Sequence, residues 1–193
     1  MADMNRREAL ARVSMLFGGT VIGAEIFLHG CKPGTPQLST LEFTENNIIF
    51  LDEVGETILP TTAASPGAKE AKIGEFMKTI VTDCYVADDQ KIFLEGIGKL
   101  NEAANTKFGD DFLALDANQK KELLMQLDQE AKDHDATHEE GAPNHYFTMM
   151  KQLTLWGYFS SEVGATKALR YVETPGRYEG CIPYNKGDKA WAI

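Results

Sequence analysis

Residues 143–160, which read PNHYFTMMKQLTLWGYFS, decide the fold. After Pro143 the stretch has no further proline, and its apolar side chains fall on most sides of a helix instead of on one stripe. A helix of that kind is either central in a core or shared with a partner. The sequence therefore predicts a bundle organised around this segment.

The preceding chain has the spacing of amphipathic helices. Apolar residues recur three and four apart, with cap residues at the starts and a proline after the first segment. Gly96 and Gly98 within the third segment indicate close packing against another element. The predicted helices are Glu45–Leu59 capped by Thr44, Lys69–Tyr85, Asp88–Lys107, a fourth capped by Asp116 and Gln119, the helix from Pro143, and a short one over Ser161–Arg170.

No segment alternates apolar and polar residues as a strand would. Residues 133–143 are polar and acidic, which predicts a loop, and the chain from Tyr171 onward is a Pro- and Gly-rich tail. We expect an all-α fold, an irregular or orthogonal bundle of about five or six helices with an N-terminal signal segment and an extended C-terminal tail.

Length and charge narrow the class of protein. A chain of 193 residues fits one domain. Residues 1–30 hold equal numbers of basic and acidic side chains, so the formal net charge of −10 belongs to the remainder. An acidic surface repels phosphates, which argues against nucleic-acid binding.

The first 30 residues have the pattern of an export signal. Arg6 and Arg7 precede an apolar run over 13–24. At about 12 residues the run is shorter than the roughly 20 that a membrane-spanning helix needs. The paired arginines indicate the twin-arginine route. We therefore predict a leader over 1–30, a tether over 31–43 and one helical domain over 44–193.

The leader ends at Leu28-His29-Gly30-Cys31, which is similar to a bacterial lipobox. Acylation of Cys31 would anchor the protein to the membrane without a spanning helix. The alternative is ordinary cleavage nearby, because His29 stands where a small residue is usual. The expected location is the periplasm, with Cys31 as the lipid anchor.

Two further cysteines, Cys84 and Cys181, remain for the exported protein. An even number in an oxidising compartment favours a Cys84–Cys181 disulfide. Two separate buried thiols are the alternative. There is no CxxC, so the sequence indicates neither a redox motif nor a zinc ribbon.

No recognisable catalytic or cofactor motif is present. The sequence lacks a GxGxxG opening a helix, a P-loop, a GxSxG elbow and a CxxCH. His134 and His138 are four residues apart and could bind a metal if that segment were helical. The alternative is a solvated acidic connection. We therefore assign no catalytic or cofactor-binding residue, and His145 is interpreted as a core or interface histidine.

Several stretches carry a family resemblance: ETILPTT at 56–62, SPGAKEA at 65–71, IGEFM at 73–77, LTLWGYFSSEVG at 153–164 and YVETPGRYEGC at 171–181. With the leader, the chain resembles the small subunit, subunit 3, of gluconate 2-dehydrogenase and related flavin-dependent sugar dehydrogenases. The resemblance implies a non-catalytic partner of a large flavoprotein subunit of the glucose-methanol-choline type, which holds FAD and oxidises the sugar. Electrons would pass to a cytochrome c or a quinone. The twin-arginine translocase would export the folded pair, and the substrate could be gluconate or carbon 3 of a glucoside.

An accessory subunit needs a surface for its partner. The loop with Pro60, Pro66 and Gly67 is pre-shaped, and buried aromatic side chains often anchor interfaces. The predicted interface residues are Pro60, Pro66, Gly67, Trp156, Tyr158, Tyr178 and Trp191. The alternatives are an ordinary helix connection and a tail packed on its own core. Two other functions stay open: an independent lipid-anchored binding protein, and a metal-dependent enzyme using His134 and His138.

Overall fold

A computed structural model describes residues 43–137, 139, 141–174, 176–177 and 180–192. Its α-helices confirm the predicted all-α fold. They are α1 (Glu45–Ile58), α2 (Ile73–Cys84), α3 (Ala87–Phe108), α4 (Ala117–Thr137) and α5 (Tyr146–Ser160). Short 3-10 turns lie at Ala68–Ala71 and Phe112–Ala114, and a π-helical turn at Gly164–Ala168.

Strand structure within the described residues is limited to one parallel pair. β1 (Arg170–Tyr171) pairs with β2 (Trp191–Ala192). The pair closes the base of the C-terminal tail, so the tail leaves the bundle and returns to it.

Two helix starts agree with their predicted caps. Thr44 accepts the backbone N–H of Asn47 through its hydroxyl at 3.2 Å. At α4 the carboxylate of Asp116 accepts the N–H of Gln119 at 2.9 Å, while the Gln119 side chain accepts the N–H of Asp116 at 3.0 Å. These bonds satisfy N–H groups that have no partner within the helix.

The predicted helix over Lys69–Tyr85 is interrupted. Lys72 has φ +53°, and it separates the first 3-10 turn from α2. The break lets α2 begin where Gly74 lies against α1; a Cβ on Gly74 would be 2.4 Å from the carbonyl oxygen of Ile48. Asp52 on α1 accepts the N–H of Gly74 at 2.8 Å, so a neighbouring helix supplies the cap that Lys72 lacks.

The loop predicted over 133–143 is partly wrong, because α4 continues to Thr137. Pairs spaced four apart support its polar end, among them Lys132–Asp128 at 2.7 Å and Gln129–Asp133 at 2.8 Å. α5 begins at Tyr146 instead of near Pro143. The predicted short helix over Ser161–Arg170 is present as the π-helical turn.

α5 is the central element, as its apolar character predicts. It contacts each of the other four α-helices, and its buried side chains lie on several sides. Two glycines allow close approach to it: a Cβ on Gly96 would be 2.5 Å from Tyr146, and a Cβ on Gly157 would be 2.5 Å from Phe76. Gly96 thus confirms the close packing expected of α3.

Candidate functional site

The connection from α1 to the first 3-10 turn, residues 59–67, is here called the proline loop. Its organising group is the carboxylate of Glu56 in the last turns of α1. Oε1 accepts both the N–H and the hydroxyl of Thr61 at 2.8 Å, and Oε2 accepts the N–H of Lys69 at 3.0 Å. One side chain therefore fixes both ends of the loop, through the strong bonds that a charged acceptor forms.

A second set of bonds closes the loop on itself. The hydroxyl of Thr61 accepts the N–H of Gly67 at 3.0 Å, and the N–H of Ala68 donates to the carbonyl of Leu59 at 2.9 Å. Gly67 is buried against the Glu56 carboxylate, where a Cβ would lie 2.2 Å from Oε2. A side chain at this position would therefore displace the end of the Glu56 side chain from its bonds to the loop.

The tip of the proline loop is a preformed turn. Thr62 donates its N–H to the Ser65 carbonyl at 2.9 Å, and its hydroxyl accepts the N–H groups of Ala64 and Ser65 at 3.2 and 3.1 Å. Residues 60–64 are nonetheless exposed. An exposed segment with a fixed backbone loses little entropy when a partner binds.

Tyr158 supports the loop from within. Its side chain is 3% exposed, and its hydroxyl donates to the carbonyl of Pro66 at 2.5 Å. The predicted interface role of Tyr158 is therefore corrected to an internal one, because the ring has almost no surface to offer. Gly67 is also internal and Pro66 is half-buried, so Pro60 is the predicted loop residue that lies fully on the surface.

Next to this support, α5 presents an apolar surface formed by Leu155, Trp156 and Phe159, here called the α5 face. Trp156 is 56% exposed, and Leu155 and Phe159 are 36% and 39% exposed. Trp156 packs edge-on against Phe76 of α2, with ring centroids 5.3 Å apart. The Trp156 ring is thus held in place while half of it remains available.

The proline loop is bonded to the helix that carries the α5 face, because Tyr158 lies in the same helical turn as Phe159 and binds the Pro66 carbonyl. α5 also contacts the 3-10 turn that ends the loop. A rigid polar loop beside a cluster of large apolar side chains has the composition of a protein-binding surface.

The acidic side chains behind the loop are held in structural bonds. Glu53 pairs with Lys69 at 2.6 Å and with Lys120 at 2.8 Å. Burial would raise the pKa of Glu53, but hydrogen bonds from the two lysines outweigh burial and lower it. Asp52 differs, because burial raises its pKa against the opposing bond from the Gly74 N–H. Both carboxylates hold neighbouring elements against α1.

Of the two histidines proposed for metal binding, His134 lies within the described residues. His134 lies on α4 with Nδ1 2.9 Å from the Asp135 carboxylate, and His138 lies outside the described residues. Where the structure describes the chain, no group of three or more His, Cys, Asp or Glu side chains is arranged to hold a metal ion. His145 is half-buried and caps α5, so it is a structural histidine.

The predicted disulfide is not present. Cys84 and Cys181 are both free and exposed. Cys84 is the last residue of α2 and is exposed, so it is not one of the buried thiols of the alternative either. The packing therefore gives no support to the pairing with Cys181 that was predicted from an oxidising compartment.

The tail carries the remaining predicted interface aromatic residues. Trp191 is 50% exposed, and the guanidinium of Arg170 lies 4.6 Å from its ring centroid, a cation–π contact that closes the base of the tail. Tyr178 lies outside the described residues, as do Arg6, Arg7 and Cys31. In the part of the chain that the structure describes, no helix has the length and apolar character needed to cross a membrane.

Glu56 begins the ETILPTT stretch, but neither its membership of that motif nor its residue type predicts a role for it. The signal available was its position: a carboxylate one turn before a Pro-containing loop can reach the loop's N–H groups. The hydrophobic pattern that identified the helices contains no information on such a bond.

A comparison with protein-family models gives one match. The model described as gluconate 2-dehydrogenase subunit 3 matches residues 45–176, which include α1 to α5, the proline loop and the α5 face. No significant match was found to a curated protein or to a solved structure.

Proposed function

The chain belongs to the gluconate 2-dehydrogenase subunit 3 family, and from this membership we propose that it is the non-catalytic small subunit of a periplasmic FAD-dependent sugar dehydrogenase. It binds a large flavoprotein subunit of the glucose-methanol-choline type, which holds the FAD and oxidises the sugar. The substrate class is a sugar or sugar acid such as gluconate or a glucoside oxidised at carbon 3. A cytochrome c is the proposed electron acceptor of the complex.

The observation that carries the proposal is the surface formed by the proline loop and the α5 face. Its polar half is fixed by Glu56 and Thr61, and its apolar half contains Trp156 held edge-on by Phe76. A preorganised surface with an exposed aromatic anchor supports binding to another protein. The family membership supplies the identity of that protein.

The leader adds an export role to this proposal. Arg6 and Arg7 would direct the folded pair through the twin-arginine translocase, and acylated Cys31 would tether it to the outer face of the membrane. The small subunit would thus stabilise the flavoprotein and escort it. The complex needs no spanning helix for membrane association.

Co-purification tests the proposal. The chain, carrying an affinity tag after residue 193, is isolated from the membrane fraction together with whatever it binds. We expect a stable partner with flavin absorbance, and dye-linked oxidation of a sugar by the isolated complex. A flavoprotein that is exported, stable and fully active in cells lacking this chain would contradict the proposal.

A further inference from the structure

A hydrogen-bonded joint fixes the start of α5 to the end of α4. The carboxylate of Asp135 accepts the backbone N–H of His145 at 2.9 Å through Oδ1 and the hydroxyl of Thr148 at 2.5 Å through Oδ2. Asp135 also lies 2.9 Å from Nδ1 of His134. One side chain of α4 thus holds the cap residue and the first turn of the central helix.

The cap itself is an imidazole. Nδ1 of His145 accepts the backbone N–H of Phe147 at 3.3 Å. Nδ1 has a lone pair only in the neutral ring with its proton on Nε2. Protonation removes this acceptor and places a positive charge at the positive end of the helix dipole. The cap therefore exists in one protonation state alone.

The titratable and charged groups around the His145 ring come from three helices. They are Glu130, His134 and Asp135 from α4, Lys99 from α3 and Tyr146 from α5. The ring centroids of His134 and His145 are 5.5 Å apart, so two positive charges would face each other if both rings were protonated. Burial, and then the charge of His134, lower the pKa of His145 below its usual value, against the opposing effects of Asp135 and Glu130.

We infer that His145 makes the joint between α4 and α5 acid-sensitive: the neutral imidazole caps α5 above about pH 6.5, and acidification releases Phe147 from the cap. Asp135 keeps its charge through this range, since hydrogen bonds from Thr148 and His134 overcome the effect of burial and hold its pKa at about 2. Asp135 therefore does not cause the change, and the His145 cap is the bond that protonation removes.

The sign of the effect follows from the direction of the pKa shift. The pKa of His145 in the folded chain is below its value in the unfolded chain, so the unfolded state binds the proton more tightly. The stabilising contribution is complete above about pH 6.5 and is lost as the pH falls through the folded-state value. For one proton the loss is at most about tenfold in the opening equilibrium per pH unit.

Hydrogen exchange at the Phe147 amide, measured by NMR on the full chain between about pH 7.5 and pH 5 and corrected for the intrinsic rate, tests this inference. The matched variant is His145→Asn, because asparagine is a good cap that does not titrate in this range. We expect Phe147 in the wild type to lose protection by up to about tenfold per pH unit below about pH 6.5, and the variant to show a flat profile. His145→Ser is the second non-titrating cap if His145→Asn does not fold.

His134→Gln identifies the titrating group. This substitution leaves the cap in place, so Phe147 should still lose protection in acid. A flat profile in His134→Gln, or parallel losses in the wild type and His145→Asn, would overturn the inference. Because the readout is an amide of this chain alone, it is independent of whether a flavoprotein binds the α5 face.

Discussion

Gly67 lies against the carboxylate of Glu56, so that a Cβ on the glycine would come within 2.2 Å of Oε2. The same carboxylate binds Thr61 and the N–H of Lys69. The two residues therefore depend on each other, because the absence of a side chain at Gly67 leaves room for the Glu56 carboxylate that binds the loop.

The first prediction concerns this pair. Gly67→Ala should lower the free energy of unfolding by about 1–3 kcal/mol, because the methyl group displaces the Glu56 side chain from its hydrogen bonds. Denaturant unfolding monitored by circular dichroism measures the change. The same substitution in a Glu56→Ala background should cost less, since the displaced carboxylate is then absent. Equal costs in the two backgrounds would show that the contact is not the cause.

The second prediction concerns Trp156 as a binding anchor. Trp156→Ala should weaken association with the proposed flavoprotein subunit by more than about tenfold, because buried tryptophans are frequent interface hot spots. The control is Val86→Ala at the N-cap of α3, a residue that is 66% exposed compared with 56% for Trp156. Val86→Ala should leave the affinity unchanged.

Titration of the purified subunits by calorimetry gives both affinities, and thermal unfolding of each variant confirms that the fold is intact. Wild-type affinity in Trp156→Ala would exclude the α5 face as the docking surface. Because that result would leave family membership untouched, another surface of the chain would then have to be sought.

The sequence predicted those parts of the fold that depend on local signals. Caps at Thr44 and Asp116 and the proline after α1 set helix ends through bonds between near neighbours. The apolar character of residues 143–160 likewise predicted that α5 is central, because this signal too lies within one short segment. A helix that is buried on most sides has apolar residues on most sides, and this composition can be recognised in the sequence.

The rest depends on contacts between distant residues. The break at Lys72 is stabilised by α1 through the bond from the Gly74 N–H to Asp52, and the residue with positive φ is a lysine, not a glycine. The polar end of α4 looked like a loop because its support comes from ion pairs and from the joint to α5. The disulfide was inferred from the compartment and the even number of cysteines, and neither contains information on the distance between Cys84 and Cys181.

The third prediction concerns acid stability below the range of histidine. The pKa of Asp135 is held at about 2, since its hydrogen bonds from Thr148 and His134 outweigh burial. Its folded-state pKa is below the unfolded value, so its contribution is complete above about pH 4 and is lost as the pH falls toward 2. Asp135→Asn should lower the midpoint of thermal unfolding at neutral pH and reduce its dependence on pH between about 4 and 2.

A matched control for that prediction is Asp133→Asn, two residues earlier on the exposed side of α4. It removes the same charge but not the joint, and the asparagine oxygen can still accept the bond from Gln129, so its neutral-pH midpoint should stay near that of the wild type. A pH profile of Asp135→Asn parallel to the wild-type profile would show that Asp135 does not link the joint to pH.

The fourth prediction concerns the leader. If the small subunit escorts the flavoprotein, replacing Arg6 and Arg7 with lysine should strand sugar-oxidising activity in the cytoplasm, because the partner has no other route in this proposal. Activity and flavin are assayed in periplasmic and cytoplasmic fractions. Cys31→Ala should act differently, because it removes the proposed acylation site. Activity should then reach the periplasm but be found in the soluble fraction instead of the membrane fraction. The two variants separate export from anchoring. If the paired lysines leave periplasmic activity unchanged, the escort role is refuted. The binding surface would still have to be tested on its own.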